Sequence, residues 1–375
     1  MQTRAAVLYE MGRPRPYTET QPLRIEEVEL AGPGPGQVLV EVACAGLCHS
    51  DLSVIDGSRP RPMPMVLGHE AAGVVREVGT GVHDLSPGDH VVLSFVPTCG
   101  RCRYCAGGRP ALCEVGNRAN AAGVLLDGTC RFRDRAERAL HHHLGVSAFS
   151  RFTVAAQESL VRIDADVPLD RAALFGCAVV TGVGAVVNTA RVQPGTAVAV
   201  FGLGGVGLSA VMGARVAGAY PIVAVDVVRG KLDLARRVGA THVVEAREDP
   251  VTAVRDLTGG GADYAFESVG SEQVLRQAYE ATRRGGTTVA IGLPDPSRPF
   301  VVPAVSLVAE ERTVRGSYMG SAVPRRDIPR FLALYQAGLL PVDLLLTRTI
   351  PLDAINDAFE ALARGDAVRQ IVATF

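Results

Sequence analysis

Lysine is nearly missing from this chain: Lys231 is the single one among 38 basic residues, and tryptophan does not occur. Aromatic residues fill only 5% of the 375 positions, and the formal net charge is −1. Without a basic excess or aromatic platforms, the chain has no electrostatic footprint for nucleic acid or for an anionic membrane surface. Neither is expected as a partner. The opening run MQTRAAVLYEMG sets Arg4 and Glu10 among short apolar stretches and lacks the layout of a signal peptide. Residues 197–214 carry no charge, yet they are glycine-rich and end at Arg215. They read as strand, turn and helix rather than as a membrane span.

Cysteine is present, and four of the eight stand in one loop: Cys99, Cys102, Cys105 and Cys113. The spacing C-x2-C-x2-C-x7-C lets one loop surround a tetrahedral cation with four thiolates and no open position. Zinc suits such a closed, soft shell, and the role is structural. Four packing or disulfide cysteines are the alternative, but intervals this tight in one loop favour a metal. Cysteines arranged as ligands rather than as a secreted disulfide frame point to a reducing cytoplasm. Cys44 and Cys130 are expected in packing.

A chain of 375 residues exceeds one ordinary core and implies about two domains. The first part reads as short strands with Gly/Pro turns, at 5–9, 23–30, 38–43, 73–78 and 89–95, with little helical periodicity before about residue 170. From about 196 buried strands alternate with helices. Strands are expected at 197–201, 221–227, 241–245, 262–266, 287–291 and 313–317, with helices at 205–217, 230–238 and 271–282. This alternation predicts an α/β fold with a doubly wound parallel sheet. Helices at 328–337 and 352–363 and a strand at 370–374 follow. The tract His141-His142-His143 has no other ligand beside it in sequence and reads as a solvated turn.

The strand at 197–201 runs into Gly202-Leu-Gly204-Gly205-Val-Gly207 and then an apolar helix. In that context G-x-G-x-x-G predicts a dinucleotide site. Gly202 serves the tight turn, Gly204 lets backbone approach a pyrophosphate, and Gly207 allows close helix–strand packing. The helix start offers free N–H groups to the phosphates. Asp226, at the end of the next strand, is placed to grip a ribose diol and to repel a 2′-phosphate, so NAD is expected over NADP even with Arg229 nearby. Lys231 reads as a ribose or adenine contact, with a solvated helix start as its alternative.

Three further fragments carry metal-ligand types: GLCHSD at 46–51, GHE at 68–70 and FGCAVVTG at 175–182. Singly, their cysteines read as packing and His69 as a core histidine. Together, Cys48, His69 and Cys177 make a Cys2His set with an open position, which is the ligand set known from alcohol dehydrogenases. With the four-cysteine loop, the FGLGGVG turn at 201–207, VNTARVQPG at 187–195 and the ending VRQIVATF, the chain resembles zinc-dependent medium-chain alcohol dehydrogenases along essentially its full length. The last two segments resemble the branch of glutathione-dependent formaldehyde dehydrogenases.

The resemblance implies a Rossmann NAD-binding domain at about 178–320 and a β-rich, GroES-like catalytic domain at about 1–177 plus 321–375. The active cleft is expected between them. It implies two zincs per chain, one catalytic on Cys48, His69 and Cys177 and one structural. Asp51 would hydrogen-bond His69, Glu70 would lie behind the metal, and Ser50 would contact the reacting hydroxyl and begin a proton path. Thr181 would pack on the nicotinamide, His49 and Arg369 would bind the pyrophosphate, and Phe95 would line the substrate pocket. Ser53 stands where many relatives have a proton-passing histidine, so the relay must end in water or another group, at some cost in rate at low pH.

The implied activity is oxidation of a primary alcohol, aromatic or medium-chain, to an aldehyde by hydride transfer to NAD, or the reverse, in a homodimer paired near residues 313–317. The basic run Ser58-Arg59-Pro-Arg61-Pro replaces acidic residues that hold glutathione in the formaldehyde branch, which argues against the glutathione adduct. Rival readings are a nicotinoprotein that never releases NAD, a glutathione-dependent formaldehyde dehydrogenase, and a non-catalytic nucleotide-binding protein. A zinc-finger-like nucleic-acid binder lacks the required charge.

Overall fold

Residues 1–247 and 249–375 are described by a computed structural model. They form two compact units, Met1–Cys177 with Val323–Leu332 and Leu346–Phe375, and Ala178–Ala322 with Ala333–Leu345. The sequence reading gave all of 321–375 to the first unit. Ala333–Leu345 instead belongs to the second, where its turn Val342–Leu345 packs on the helix Gly205–Val216.

In the first unit, five strands close a barrel in the order Gln2–Leu8, Leu23–Leu30, Phe132–Arg133, Ala139–His142 and Met65–Val66. Ala5, Val7, Val28, Leu30, Val66, Phe132 and Leu140 fill part of one buried cluster there. Each large side chain so buried contributes roughly 1.5–3 kcal/mol. A second, seven-stranded sheet runs Leu160–Ile163, His90–Leu93, Glu70–Val78, Gln37–Gly46, Arg369–Thr374 and Leu346–Pro351, with Phe152–Ala156 also paired to Gln37–Gly46. Its register positions the chemistry. Gly46 lies opposite Glu70, and Ile371 lies opposite Gly46, so the chain segments at Leu47–Cys48, His69 and Arg369 meet where one end of these three neighbouring strands lies.

The sequence suggested little helix in this region, yet His49–Ile55 and Glu114–Ala122 are helical. Both start on cysteine. Cys113 caps the second by accepting the N–H of Gly116 on its sulfur, a capping role that residue type does not advertise. The histidine tract also differs from expectation. Ala139–His142 is a barrel strand, and His142 and His143 are buried rather than solvated. Burial pushes the His142 imidazole down to about 3, and its Nε2 accepts the Arg131 N–H at 3.1 Å.

In the second unit six strands form a parallel sheet in the order His242–Glu245, Ile222–Asp226, Val198–Phe201, Ala262–Glu267, Thr282–Ala290 and Thr313–Gly316. Ala199, Phe201, Val223, Val225 and Ala265 bury its centre under helices that include Pro250–Leu257 and Glu272–Ala281. The strand expected at 287–291 begins earlier, at Thr282, with a register shift opposite Ala262 and Tyr264. Among the described residues no single helix is long and apolar enough to cross a membrane.

Candidate active site

Cys48 is the last residue before the helix His49–Ile55, and His69 immediately precedes the strand Glu70–Val78. Cys177 follows the 3-10 turn Ala173–Gly176. That turn packs so tightly on its sheet that a Cβ at Gly176 would lie 2.6 Å from the Leu93 carbonyl oxygen. The outcome is one pocket. A ligand atom from each of Cys48, His69 and Cys177 lies within 4.8 Å of the others, and all three residues are buried.

Asp51 fixes the imidazole. Its carboxylate is fully buried; Oδ1 stands 3.0 Å from His69 Nδ1 and accepts the Gly68 N–H at 3.2 Å, while Oδ2 accepts the Cys48 N–H at 3.3 Å. With Nδ1 engaged, Nε2 is the nitrogen left for a ligand. Gly68 is required by conformation: its φ is +93°, and a Cβ would lie 2.5 Å from the Phe149 nitrogen. Burial alone would push His69 down, but Asp51 outweighs it and holds the imidazole well above its ordinary value.

The Cys177 thiol donates to the Cys48 sulfur and drives Cys48 well below the usual thiol range, against the effect of burial. The same contact, with burial, holds Cys177 well above it. Two buried sulfurs sharing a proton beside an imidazole form a donor set that a divalent cation satisfies by displacing that proton. The set fits zinc. Arg369 lies behind it, buried, donating to the Leu47 carbonyl at 3.0 Å and standing 3.9 Å from Glu70 Oε2. Burial opposes its charge, but Glu70 and the two sulfurs hold the guanidinium above its ordinary value. Glu70 packs against Gly46, where a Cβ would come within 2.6 Å of its Oε1.

Ser50 Oγ is 3.9 Å from Cys48 Sγ, and the Phe95 ring meets His69 edge-on with centres 5.7 Å apart. His49 is the exposed first residue of its helix, and the Ser53 hydroxyl bonds back to the His49 carbonyl at 2.9 Å. A residue expected in a solvated turn also joins the pocket: His143 Nδ1 lies 3.0 Å from Asp51 Oδ1. Only its place in a histidine tract hinted at this, because the partner carboxylate is distant along the chain.

The four-cysteine loop is assembled as its spacing suggests, with the sulfur ligand atoms within 4.8 Å of one another. Backbone N–H groups of Cys99 and Gly116 donate to Cys113 Sγ, each at 3.3 Å, and that of Cys102 to Cys99 Sγ at 3.4 Å. Backbone donors from Cys105 and Glu114 pull Cys102 down to about 6. Such N–H···S bonds stabilise thiolates, the form a closed zinc site needs.

The second unit carries the glycine turn. Gly202 has φ +90°, and a Cβ on Gly207 would meet the Gly202 carbonyl oxygen at 1.8 Å, so neither position admits a side chain without displacement. A Cβ on Gly204 would meet nothing within 4 Å, which leaves its backbone open to a ligand. Gly205 begins the helix Gly205–Val216, whose start has no side-chain cap. Asp226 fastens the turn, accepting the Leu203 N–H at 2.7 Å and the Val228 N–H at 2.9 Å. Lys231 is half-buried near the start of Arg229–Val238, and Arg229 pairs with Glu245 at 3.0 Å. Thr181 is buried on Ala178–Gly184, and among the described residues its Oγ1 has no hydrogen-bond partner.

A two-sulfur, one-imidazole pocket and a G-x-G-x-x-G turn on a parallel sheet are parts that a metal-dependent dehydrogenase would need. Residues 34–165 match the alcohol dehydrogenase GroES-like domain, and residues 205–337 match the zinc-binding dehydrogenase domain. An S-(hydroxymethyl)glutathione dehydrogenase of Escherichia coli is 39% identical over 377 residues, covering 99% of this chain and 100% of that one. The crystal structure of an alcohol dehydrogenase zinc-binding domain protein from Burkholderia ambifaria superposes with a TM-score of 0.94 at 39% identity, over 100% of this chain and 99% of that one. Benzyl alcohol dehydrogenase from Acinetobacter calcoaceticus gives 0.92 at 33% identity over 100% of both chains. The chain belongs to the zinc-dependent alcohol dehydrogenase family, with the GroES-like and Rossmann-type fold of that family. It is an oxidoreductase whose chemistry uses zinc and a nicotinamide cofactor.

Proposed function

We propose that the chain oxidises a primary alcohol, aromatic or medium-chain, to its aldehyde with NAD, or runs the reverse, at a zinc held by Cys48, His69 and Cys177. The alcohol gives up a hydride to the nicotinamide and a proton to solvent, which balances the reaction. The convergence of those buried ligand atoms within 4.8 Å carries this reading. A zinc in such a set supplies Lewis acidity to the reacting oxygen, a contribution of several kcal/mol.

The chain's own residues do the rest. Asp51 holds the His69 tautomer, and Arg369 with Glu70 balances charge behind the sulfurs. Ser50 takes the hydroxyl proton as it hands its own onward. Ser53, bonded to backbone in place of a shuttling imidazole, passes it no further, so water completes the path. Phe95 lines the pocket for the organic group. Gly202, Gly204, Gly205 and Gly207 seat the pyrophosphate with His49 and Arg369, Asp226 and Lys231 hold the adenosine ribose, and Thr181 offers its hydroxyl to the nicotinamide. The pairing of Arg229 with Glu245 draws that cation away from a 2′-phosphate, which supports NAD. Cys99, Cys102, Cys105 and Cys113 would hold the second zinc, which would shape the fold.

Identity to S-(hydroxymethyl)glutathione dehydrogenases supports a second reading, with the glutathione adduct as substrate. Arg59 and Arg61 oppose it by their charge. Cysteines gathered as ligand sets rather than as disulfide pairs support a reducing, cytoplasmic setting. The edge strand Thr313–Gly316 and the helix Ala304–Ala309, which buries no residue and exposes Val305 at 71% and Val308 at 80%, support a homodimer. A steady-state panel of benzyl alcohol, 1-octanol and S-(hydroxymethyl)glutathione, each with NAD and NADP, tests the whole reading. Higher kcat/KM for the simple alcohols with NAD is expected. Turnover of the glutathione adduct far above both alcohols would transfer the chain to the second reading.

A further inference from the structure

His143 has no part in the reading above, yet it is 1% exposed and lies against the metal pocket. Its ring stands perpendicular to that of His69, at 89°, with centres 5.4 Å apart. Its Nδ1 is 3.0 Å from Asp51 Oδ1, the oxygen that also faces His69 Nδ1, and the approach is close but oblique. The backbone beneath is pinned: His143 N–H donates to Ser147 Oγ at 2.9 Å, and that hydroxyl donates to the Val66 carbonyl at 2.9 Å. A pinned backbone and a buried ring leave the imidazole little freedom to turn away.

Asp51 needs such support. It is a fully buried carboxylate whose salt-bridge partners among the described residues are imidazoles, with no arginine or lysine among them. Its orientation decides where His69 Nδ1, and therefore Nε2, can point. His69 is also boxed by perpendicular rings, Phe95 at 85° and His143 at 89°. We propose that His143 is a positioning residue for the metal pocket, which steadies Asp51 through Nδ1 and His69 through ring packing, so that His69 presents Nε2 to the metal. The inference rests on the reading of Cys48, His69 and Cys177 as ligands. Partners of metal-binding histidines alter metal affinity by about 10–100-fold when removed.

The test loads the pocket with cobalt(II) in the full chain, keeps zinc in the four-cysteine loop, and follows both the visible cobalt spectrum and release to a chelator. His143→Leu is expected to shift the spectrum and to release cobalt roughly 10-fold faster, at the low end of that range, while the loop keeps its zinc. His143→Asn retains an N–H donor and should recover most of the wild-type rate. His143→Phe keeps a ring without the donor and should fall between them. That order also separates a positioning role from loosened packing if the leucine variant folds poorly. Wild-type rate and spectrum in His143→Leu would overturn the proposal, as would full recovery in His143→Phe. A wild-type chain that holds metal only in the four-cysteine loop would instead overturn the ligand reading beneath it.

Discussion

Cys177→Ser is expected to lower alcohol oxidation by at least about 10³-fold while the chain stays folded and keeps one zinc. The loss follows from the donor set. Serine offers a harder, shorter ligand atom that does not ionise beside Cys48, and two remaining ligands hold zinc poorly. Losing about 4 kcal/mol of Lewis-acid stabilisation corresponds to roughly a thousandfold in rate. The fold should survive because Cys177 is a small buried side chain at the end of a turn, and the change removes little volume. Zinc content per chain, measured with kcat on the same sample, checks the result. Cys105→Ser is the contrast, since it strikes the other metal and should lower thermal stability before it lowers turnover. Retained activity in Cys177→Ser would mean that the sulfur is packing.

Gly207→Ala should cost about 100-fold in NAD affinity. The added methyl would lie 1.8 Å from the Gly202 carbonyl oxygen, a backbone atom with no side chain to rotate aside. The helix start must withdraw from the turn, and its N–H groups then leave the pyrophosphate position. Overpacking costs about 1–3 kcal/mol, and the upper end matches a hundredfold in Kd. Stability should fall as well. Gly204→Ala separates the two effects, because its methyl meets no protein atom within 4 Å. It should weaken NAD binding with an unchanged melting temperature. Titration with the fluorescent reduced cofactor NADH and thermal melts of both variants decide the matter, and equal cofactor affinity in all three proteins would dissociate the turn from cofactor binding.

What the chain's letters reveal depends on distance along it. The four-cysteine loop is local, so spacing alone announces it. The glycine turn is nearly as plain, because strand, turn and helix follow one another directly. Cys48, His69 and Cys177 look ordinary one at a time. Their meeting is a product of sheet register, Gly46 opposite Glu70, which no spacing rule reports. Family resemblance pointed to the set without that register. His143 shows the limit: a run of imidazoles looks solvated until the barrel strand Ala139–His142 carries it inward to Asp51. The helix Glu114–Ala122 was hidden for another reason, since its cap is a sulfur rather than a hydroxyl or carboxylate. Ala333–Leu345 belongs with the second unit through tertiary packing that composition does not encode.

Anomalous diffraction at the zinc edge, from crystals of the natural chain, tests the central claim most directly. Two peaks per chain are expected, one amid the sulfurs of Cys99, Cys102, Cys105 and Cys113 and one within bonding distance of Cys48 Sγ, Cys177 Sγ and His69 Nε2. A lone peak in the four-cysteine loop, with the other three side chains metal-free in an active enzyme, would contradict it.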